Sequence, residues 1–349
     1  MSIELQGREP IRKVLVVVPT LNEARNIETV VDALSRNWPA ELDVMLAVVD
    51  GGSTDGTVQL VQRMQQTRSW LRLLDNPKRI QSAAVNLAAK TLGQGVQVLV
   101  RCDAHALYPP NFVQRLLQSL EHSGADAVVV PMDSVGHHCV QRAVAWVSDS
   151  SVGSGGSAHR GGRRSGDVDH GHHAAFRMAS FERAGGYDET FTHNEDAELD
   201  CRQRRMGSRI YLDADIRLQY HPRASLTALA RQYFAYGRGR SRTVRKHPGS
   251  MRLRQLALPV HLLMLVATLL LALAWPWSLL WPAAYLGVLG LTSVAIAWRK
   301  RSLCGLLAGP AALVMHLTWA SGFLYGLAFI RQDAWQATGS VHLNARQGI

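Results

Sequence analysis

The chain has 349 residues, enough for one large domain with an appendage, and carries 38 Lys+Arg against 27 Asp+Glu, a formal net charge of +11. Residues 1–215 hold 23 basic and 26 acidic residues, whereas residues 216–349 hold 15 basic residues and a single acidic one, Asp333. The basic excess lies beside long apolar runs and not on an aromatic-studded polar face, which argues against nucleic-acid binding.

The four cysteines (Cys102, Cys139, Cys201, Cys304) show no C-x-x-C spacing. Neither a zinc knuckle nor a disulfide framework is expected, and a reducing compartment is. The first apolar run, Val14 to Val18, is too short for a signal-peptide core and lacks a small-residue cleavage site after it. The expected location of the polar part is the cytoplasm.

Val14–Val18 reads as a buried parallel strand, ended by Pro19-Thr20-Leu21-Asn22-Glu23 and followed by a helix through Ile27, Val30, Val31 and Leu34. Val44–Val49 is a second strand closing on Asp50-Gly51-Gly52-Ser53-Thr54-Asp55, with a helix after it. A short strand at Leu71–Leu74, a helix at Ile80–Leu92 and a strand at Val96–Val100 follow, the last ending in Arg101-Cys102-Asp103-Ala104-His105. Pro109-Pro110 opens another helix, and Ala127–Val130 is a fifth strand. This alternation predicts an α/β fold with a parallel, doubly wound sheet, whose ligands bind outside the carboxyl ends of the strands.

Val140–Val147 suits a helix, and Gly153–Gly166 is a loop rich in glycine, serine and arginine. His170 to Arg177 is expected to re-enter the sheet, and Arg209–Leu212 to add a strand. Between them, Asn194-Glu195-Asp196-Ala197-Glu198-Leu199-Asp200 packs four carboxylates into six residues at the start of a helical run. One reading is a helix start, capped by Asn194 with acids in the first turn. The other is a catalytic pair lining a cleft, one member acting as general base.

From Arg231 to Arg254 there are eight Lys/Arg and no acid, and no charged residue stands between Gln255 and Trp298. That stretch divides at Trp275-Pro276-Trp277. Arg299-Lys300-Arg301 separates it from a third uncharged run, Ser302–Ile330. The expected organisation is a polar domain over residues 1–230, a basic juxtamembrane helix over 231–254, about three transmembrane helices over 255–330 and a tail over 331–349. Three crossings would put the C-terminus outside the cytoplasm.

No G-x-G-x-x-G follows the first strand and no G-x-x-x-x-G-K-[ST] occurs, so the phosphate-handling groups are acids at strand ends, which suggests a metal bridge. Pro19–Glu23, Asp50–Asp55, Asp103-Ala104-His105 and Asn194-Glu195-Asp196 occur in the order seen in family 2 inverting glycosyltransferases of the GT-A fold, which the chain resembles over about residues 12–245. The stretches around Ala158-His159-Arg160, Gly171-His172-His173-Ala174, His193–Asp200 and Tyr236–Arg240 resemble more narrowly the membrane-bound, ExoA-type glycosyltransferases of succinoglycan biosynthesis.

This resemblance implies a UDP-sugar donor held by Pro19, Thr20, Asn22, Glu23, Asp50, Ser53 and Asp55. The family's usual second aspartate after Asp50 is Gly51 here. Asp103 would bind ribose and Mn2+ or Mg2+, with His105 in the place of the second aspartate of D-x-D and His221 as a further ligand. Asp196 would be the base and Glu195 its orienting neighbour. The acceptor, a polyprenyl-diphosphate-linked saccharide, would lie over His172, His173 and the Gly153–Gly166 loop. His170, His172 and His173 are not read as a metal site, because no carboxylate or cysteine completes them at usual spacing. The family's Q-x-x-R-W is absent, and Arg238 in Gln232–Arg238 stands in a comparable place to meet the departing diphosphate. Transfer to polyprenyl phosphate and a non-catalytic membrane scaffold remain the alternative functions.

Overall fold

The computed structural model describes residues 10–155 and 163–331. In chain order the elements are β1 (Lys13–Thr20), α1 (Ile27–Ser35), β2 (Asp43–Asp50), α2 (Thr57–Gln65), β3 (Leu71–Asp75), α3 (Gln81–Leu92), β4 (Val98–Arg101), α4 (Phe112–Ser123), β5 (Ala127–Val130), β6 (Met132–Ser134) and α5 (Cys139–Ser148). There follow α6 (Ser151–Ser154), β7 (Gly166–Asp167), β8 (His172–Arg177), α7 (Met178–Arg183), α8 (Glu195–Arg205), β9 (Ile210–Leu212), β10 (Leu218–Tyr220), α9 (Leu226–Lys246), α10 (Leu253–Leu271), α11 (Leu280–Lys300) and α12 (Ala308–Phe329). The residues around Ala158-His159-Arg160 and the C-terminal tail lie outside the described ones.

The chain divides into two compact units. The first comprises the chain up to Val130 together with Arg164–Ile216, and is built on an eight-stranded sheet of order β3-β2-β1-β4-β8-β5-β9-β7. β1 pairs in parallel with β2 and β4, β2 with β3, and β5 with β9. β8 runs antiparallel between β4 and β5, and β7 antiparallel to β9, so the sheet is mixed where the alternation of the sequence suggested parallel strands. The reason is local: His172–Arg177 enters after a long excursion and not through a helical crossover, so nothing forces it parallel. The apolar runs of β1, β2, β4 and β5 are buried on both faces, with Leu15, Val17, Val49, Leu99, Phe176, Phe181 and Leu199 in one core. Their carboxyl ends, at Thr20, Asp50 and Arg101, fall on one edge, since Thr20 pairs with Asp50 and Arg101 with Val17. That edge carries the site.

The second unit comprises Pro131–Arg163 and Arg217–Gln332. It holds the two-stranded parallel sheet β6–β10 and the helices α5, α6 and α9–α12. α9 begins at a side-chain cap, Ser225, earlier than the charge pattern suggested, and ends at Lys246, before Pro248. α12 starts at Ala308 and holds Gly309-Pro310 in its first turn, where proline is tolerated. By length and composition two segments, Pro276–Lys300 and Leu303–Phe329, could cross a membrane; the apolar part of α10, Gln255–Leu271, is shorter. One expectation is corrected here. Cys139 and Cys304 form a disulfide across 165 residues of sequence. Spacing could not show it, because α5 and the turn before α12 meet only in the folded unit.

Candidate active site

In the first unit, two loops lock together beyond β1 and β2. Asn22 adopts the left-handed conformation (φ 56°), which asparagine tolerates. Its backbone N–H donates to Ser53 Oγ (2.7 Å), and its Oδ1 accepts from the Thr54 N–H (2.8 Å). The Glu23 N–H donates to Thr57 Oγ1, and the Ala24 N–H to Asp55 Oδ2. Asp55 also accepts from Thr57, and these hydrogen bonds, the Thr57 hydroxyl first, hold its carboxyl below the ordinary range. Asp50 is buried and spends both oxygens on its own turn, accepting from the Gly52 N–H, the Ser53 N–H and the Ser53 hydroxyl. Thr20 donates to the Val18 carbonyl and accepts at its own carbonyl from Gly51. The polar residues singled out in these loops therefore shape the backbone first.

A second group gathers around Arg101, the last residue of β4, which is buried. Its Nη1 donates to both oxygens of Asp196 at 2.8 Å, and its Nη2 lies 3.6 Å from Asp103 and 4.0 Å from Glu195. Burial works against its charge, but Asp196 first, and then its other neighbours, hold the guanidinium protonated well above its ordinary range. Tyr187 donates its hydroxyl to Asp196 Oδ1 (2.8 Å) and lies against the Arg101 guanidinium. Burial, reinforced by Asp196, raises the Tyr187 phenol, so it stays a donor. Asp103 accepts from Gln81 Nε2 (2.8 Å). Burial would raise its carboxyl, but the His172 hydrogen bond and the Arg101 charge outweigh it and hold the group ionised, well below the carboxylate range. His172 stands between the acids, Nε2 3.5 Å from Asp103 and Nδ1 4.0 Å from Asp196.

Glu195 behaves differently from its neighbour. Burial, and next the charge of Asp196, push its carboxyl up to about 7. Both residues open α8, where the positive end of the helix dipole favours anions. Asn194 stands at the cap position in the left-handed conformation (φ 69°), and its side chain makes no capping hydrogen bond to the helix, contrary to the cap reading. A side-chain cap needs extended backbone at that residue. The helix is fixed instead by Glu198 and Arg202, a buried pair whose guanidinium also donates to the Ala184 and Gly186 carbonyls, and by Asp200, which meets His170 Nδ1 at 2.6 Å.

The structure thus brings Asp103, His172, Glu195 and Asp196 together, and pairs His105 Nδ1 with Glu23 at 3.0 Å. His173 pairs through its backbone with Val129. His221 and Arg238 belong to the second unit, where His221 Nδ1 meets the Val135 carbonyl and Arg238 lies over the Phe234 ring. Reading the sequence missed Arg101, Tyr187 and Gln81. A lone arginine closing the run Val98-Leu99-Val100 was the available signal, since arginine is almost never buried without a partner.

No group of three or more His, Cys, Asp or Glu side chains among the described residues could enclose a metal ion. An ionised Asp103 with His105 two residues away still suits a divalent ion carried mainly by substrate phosphates, the usual arrangement for Mg2+.

A mixed sheet with acids at its carboxyl edge and an acidic pair opening α8 defines a GT-A transferase. The family described as Glycosyl transferase family 2 matches residues 15–185. The succinoglycan biosynthesis protein ExoA of Rhizobium meliloti (strain 1021) is 44% identical over 314 residues, covering 88% of this chain and 93% of that protein. The polyprenol monophosphomannose synthase of Mycolicibacterium smegmatis is 30% identical over 123 residues, 34% of this chain and 45% of that protein. Among solved structures, the mannosyltransferase PcManGT from Pyrobaculum calidifontis, in complex with GDP-Man and Mn2+, superposes with a TM-score of 0.56 at 22% identity, over 91% of this chain and 88% of that one, which supports the fold. The chain belongs to glycosyltransferase family 2 and is of the ExoA type.

Proposed function

We propose that the enzyme transfers a hexose, with glucose as the first candidate, from a UDP-sugar to a lipid-linked saccharide in bacterial exopolysaccharide assembly. It would work at the cytoplasmic face of the inner membrane. The likeness to ExoA along nearly the whole chain supports the pathway. The apolar helices of the second unit support a lipid-borne acceptor. The observation that carries the chemistry is the placement of an ionised Asp103 and the Glu195–Asp196 pair around one buried arginine.

In this reading the acceptor hydroxyl attacks the anomeric carbon from the face opposite UDP. The new C–O bond forms as the bond to the diphosphate oxygen breaks, UDP leaves with that electron pair, and the configuration inverts. Asp196 takes the hydroxyl proton. Arg101 and Tyr187 fix its orientation beforehand. Asp103 and His105 would hold Mn2+ or Mg2+, whose chemistry is to neutralise the charge growing on the leaving diphosphate. The interlocked loops at Pro19–Glu23 and Asp50–Asp55 would form the nucleotide's cradle, with His172 toward the acceptor.

A second reading follows from Glu195. With its carboxyl near 7 it would be the stronger base once ionised, and Asp196 would then serve Arg101. A third, transfer to polyprenyl phosphate, is favoured only by the partial likeness to the mannose synthase. Single-turnover transfer from UDP-glucose into a lipid-linked acceptor extract tests all three. Loss of rate in Asp196→Asn with unchanged UDP binding supports the first, and wild-type rate in that variant removes the base from this position.

A further inference from the structure

The second unit exposes large apolar side chains along α10 and α11, among them Leu263, Leu270, Leu280, Leu291 and Val294, with Leu273 91% exposed and Trp298 81% exposed. Such a surface fits hydrocarbon. Length alone would send α11 and α12 across it. Their packing says otherwise.

α12 is sheathed by α9. The two run side by side with backbones nearly touching: a methyl group on Gly237 would strike the Trp319 carbonyl, one on Gly322 the Phe234 carbonyl, and one on Gly326 the Ser241 hydroxyl. Arg245 then donates to the carbonyls of Gly326, Leu327 and Ile330, closing the end of α12. Leu229, near the start of α9, packs with Ala308, Ala311, Ala312 and Met315 at the start of α12. The contact therefore follows α12 from end to end. α9 carries Arg231, Arg238, Arg240, Arg242, Arg245 and Lys246. Were α12 to cross a bilayer, α9 would cross beside it and bring arginines to the hydrocarbon centre, where each is costly.

α11 is tied in the same way. His316 Nε2 meets the Val152 carbonyl at 2.8 Å, and a carbonyl only accepts, so that nitrogen carries the proton. His316 Nδ1 is then the acceptor, and Tyr285 of α11 donates its hydroxyl to it at 3.0 Å. Val152 belongs to α6, just before the glycine- and arginine-rich stretch. At the other end of α11, Lys300 lies over Trp146 of α5, and Cys304 is bonded to Cys139. Between these two tied ends, about 22 Å apart at 1.5 Å per residue, the elements packed against α5–α6 are α12 and the turn before it. That segment bears Arg142 and Asp149 and leads into polar chain, so a transverse α12 would drag it into the membrane.

We propose that the second unit is a monotopic anchor. α10 and α11 rest in one leaflet, α12 lies beneath α9 at the water boundary, no helix crosses, and both ends of the chain stay on one side. Trp275, Trp277, Trp281 and Trp298, with Arg299–Arg301, then meet a single interface, as in-plane anchors require. This replaces the three crossings that the apolar runs suggested, and it rests on the reading that the unit meets a bilayer.

The test uses the full chain in bacterial spheroplasts, as Leu273→Cys, as Leu303→Cys in the exposed turn between α11 and α12, and, separately, with a cysteine added after Ile349. Each is treated from outside with a membrane-impermeant maleimide, with UDP release confirming that the variant is folded. The expected result is membrane-bound protein unlabelled from outside at all three positions, with the added cysteine labelled once the membrane is opened. Labelling of Leu273→Cys from outside would show an α10–α11 hairpin through the bilayer, labelling of Leu303→Cys an α11–α12 hairpin, and labelling of the added cysteine an odd number of crossings. Any of the three overturns the proposal while leaving membrane attachment intact. Recovery of folded protein in the soluble fraction would overturn attachment as well.

Discussion

Arg101 closes a strand whose other residues are valine and leucine, and its charge is shared by Asp196, Asp103 and Glu195. Replacing it by methionine leaves the partly buried acids without their counter-charge, and a fully buried pair broken on one side costs about 3–5 kcal/mol, an upper bound here. Arg101→Met should lower the melting temperature accordingly and abolish transfer, while Arg101→Lys, which cannot donate in the same planar fork, should restore only part of either. Asp196→Asn should slow transfer about 10²–10⁴-fold, the ordinary worth of a general base, with UDP affinity by calorimetry unchanged. Glu195→Gln should cost less rate. It should also reveal a pH effect. The folded protein holds the Glu195 proton up to about pH 7, whereas the ordinary value is 4.5. Between those values the folded state binds more protons than the unfolded one, so stability falls as pH rises through that window, by about 3 kcal/mol at most. Glu195→Gln escapes this loss. Its melting temperature should exceed wild type at pH 8 and match it at pH 4, and the reverse order would mean that Glu195 is not held protonated.

At the scale of elements, the segment between α7 and α8 aims the tyrosine at the base. Gly186 sits at φ +71°, and a methyl group there would lie 2.5 Å from Asn86 Oδ1. That same oxygen accepts from the Tyr187 N–H, and Asn86 Nδ2 donates to the Tyr187 carbonyl, both at 2.8 Å. Gly186→Ala should therefore cost ~1–3 kcal/mol of stability from backbone strain and displace Tyr187 from Asp196. Transfer should fall more than UDP binding, and unchanged kinetics in a folded variant would remove Tyr187 from the mechanism. Much of this framework was legible in advance. Val14–Val18, Val44–Val49 and Ala127–Val130 are runs that only a buried strand suits, and the polar clusters after the first two mark the ligand edge. Direction was not legible for His172–Arg177, since a six-residue strand reads alike in either sense. Nor was Asn86 legible, because its partner lies 101 residues away. The acids announced themselves by crowding at Asn194–Asp200, whereas Arg101, their counter-ion, stood alone in an apolar run.

For the whole molecule, composition located the apolar helices but not how they lie. The arginines of α9 read as a juxtamembrane belt, and only packing shows them running beside α12. The disulfide between Cys139 and Cys304 was hidden for the same reason. The catalytic account needs the donor, the acids and a lipid-borne acceptor in one reaction. The most direct measurement incubates purified full-length enzyme and Mn2+ with UDP-glucose labelled in the sugar and a lipid-linked acceptor extract, and follows label in the organic phase alongside released UDP. The account predicts equal amounts of both from wild type, and neither at a comparable rate from Asp196→Asn or Asp103→Ala. Full label transfer by Asp103→Ala in EDTA, or failure of the wild type to release UDP while the acceptor is present, would contradict it.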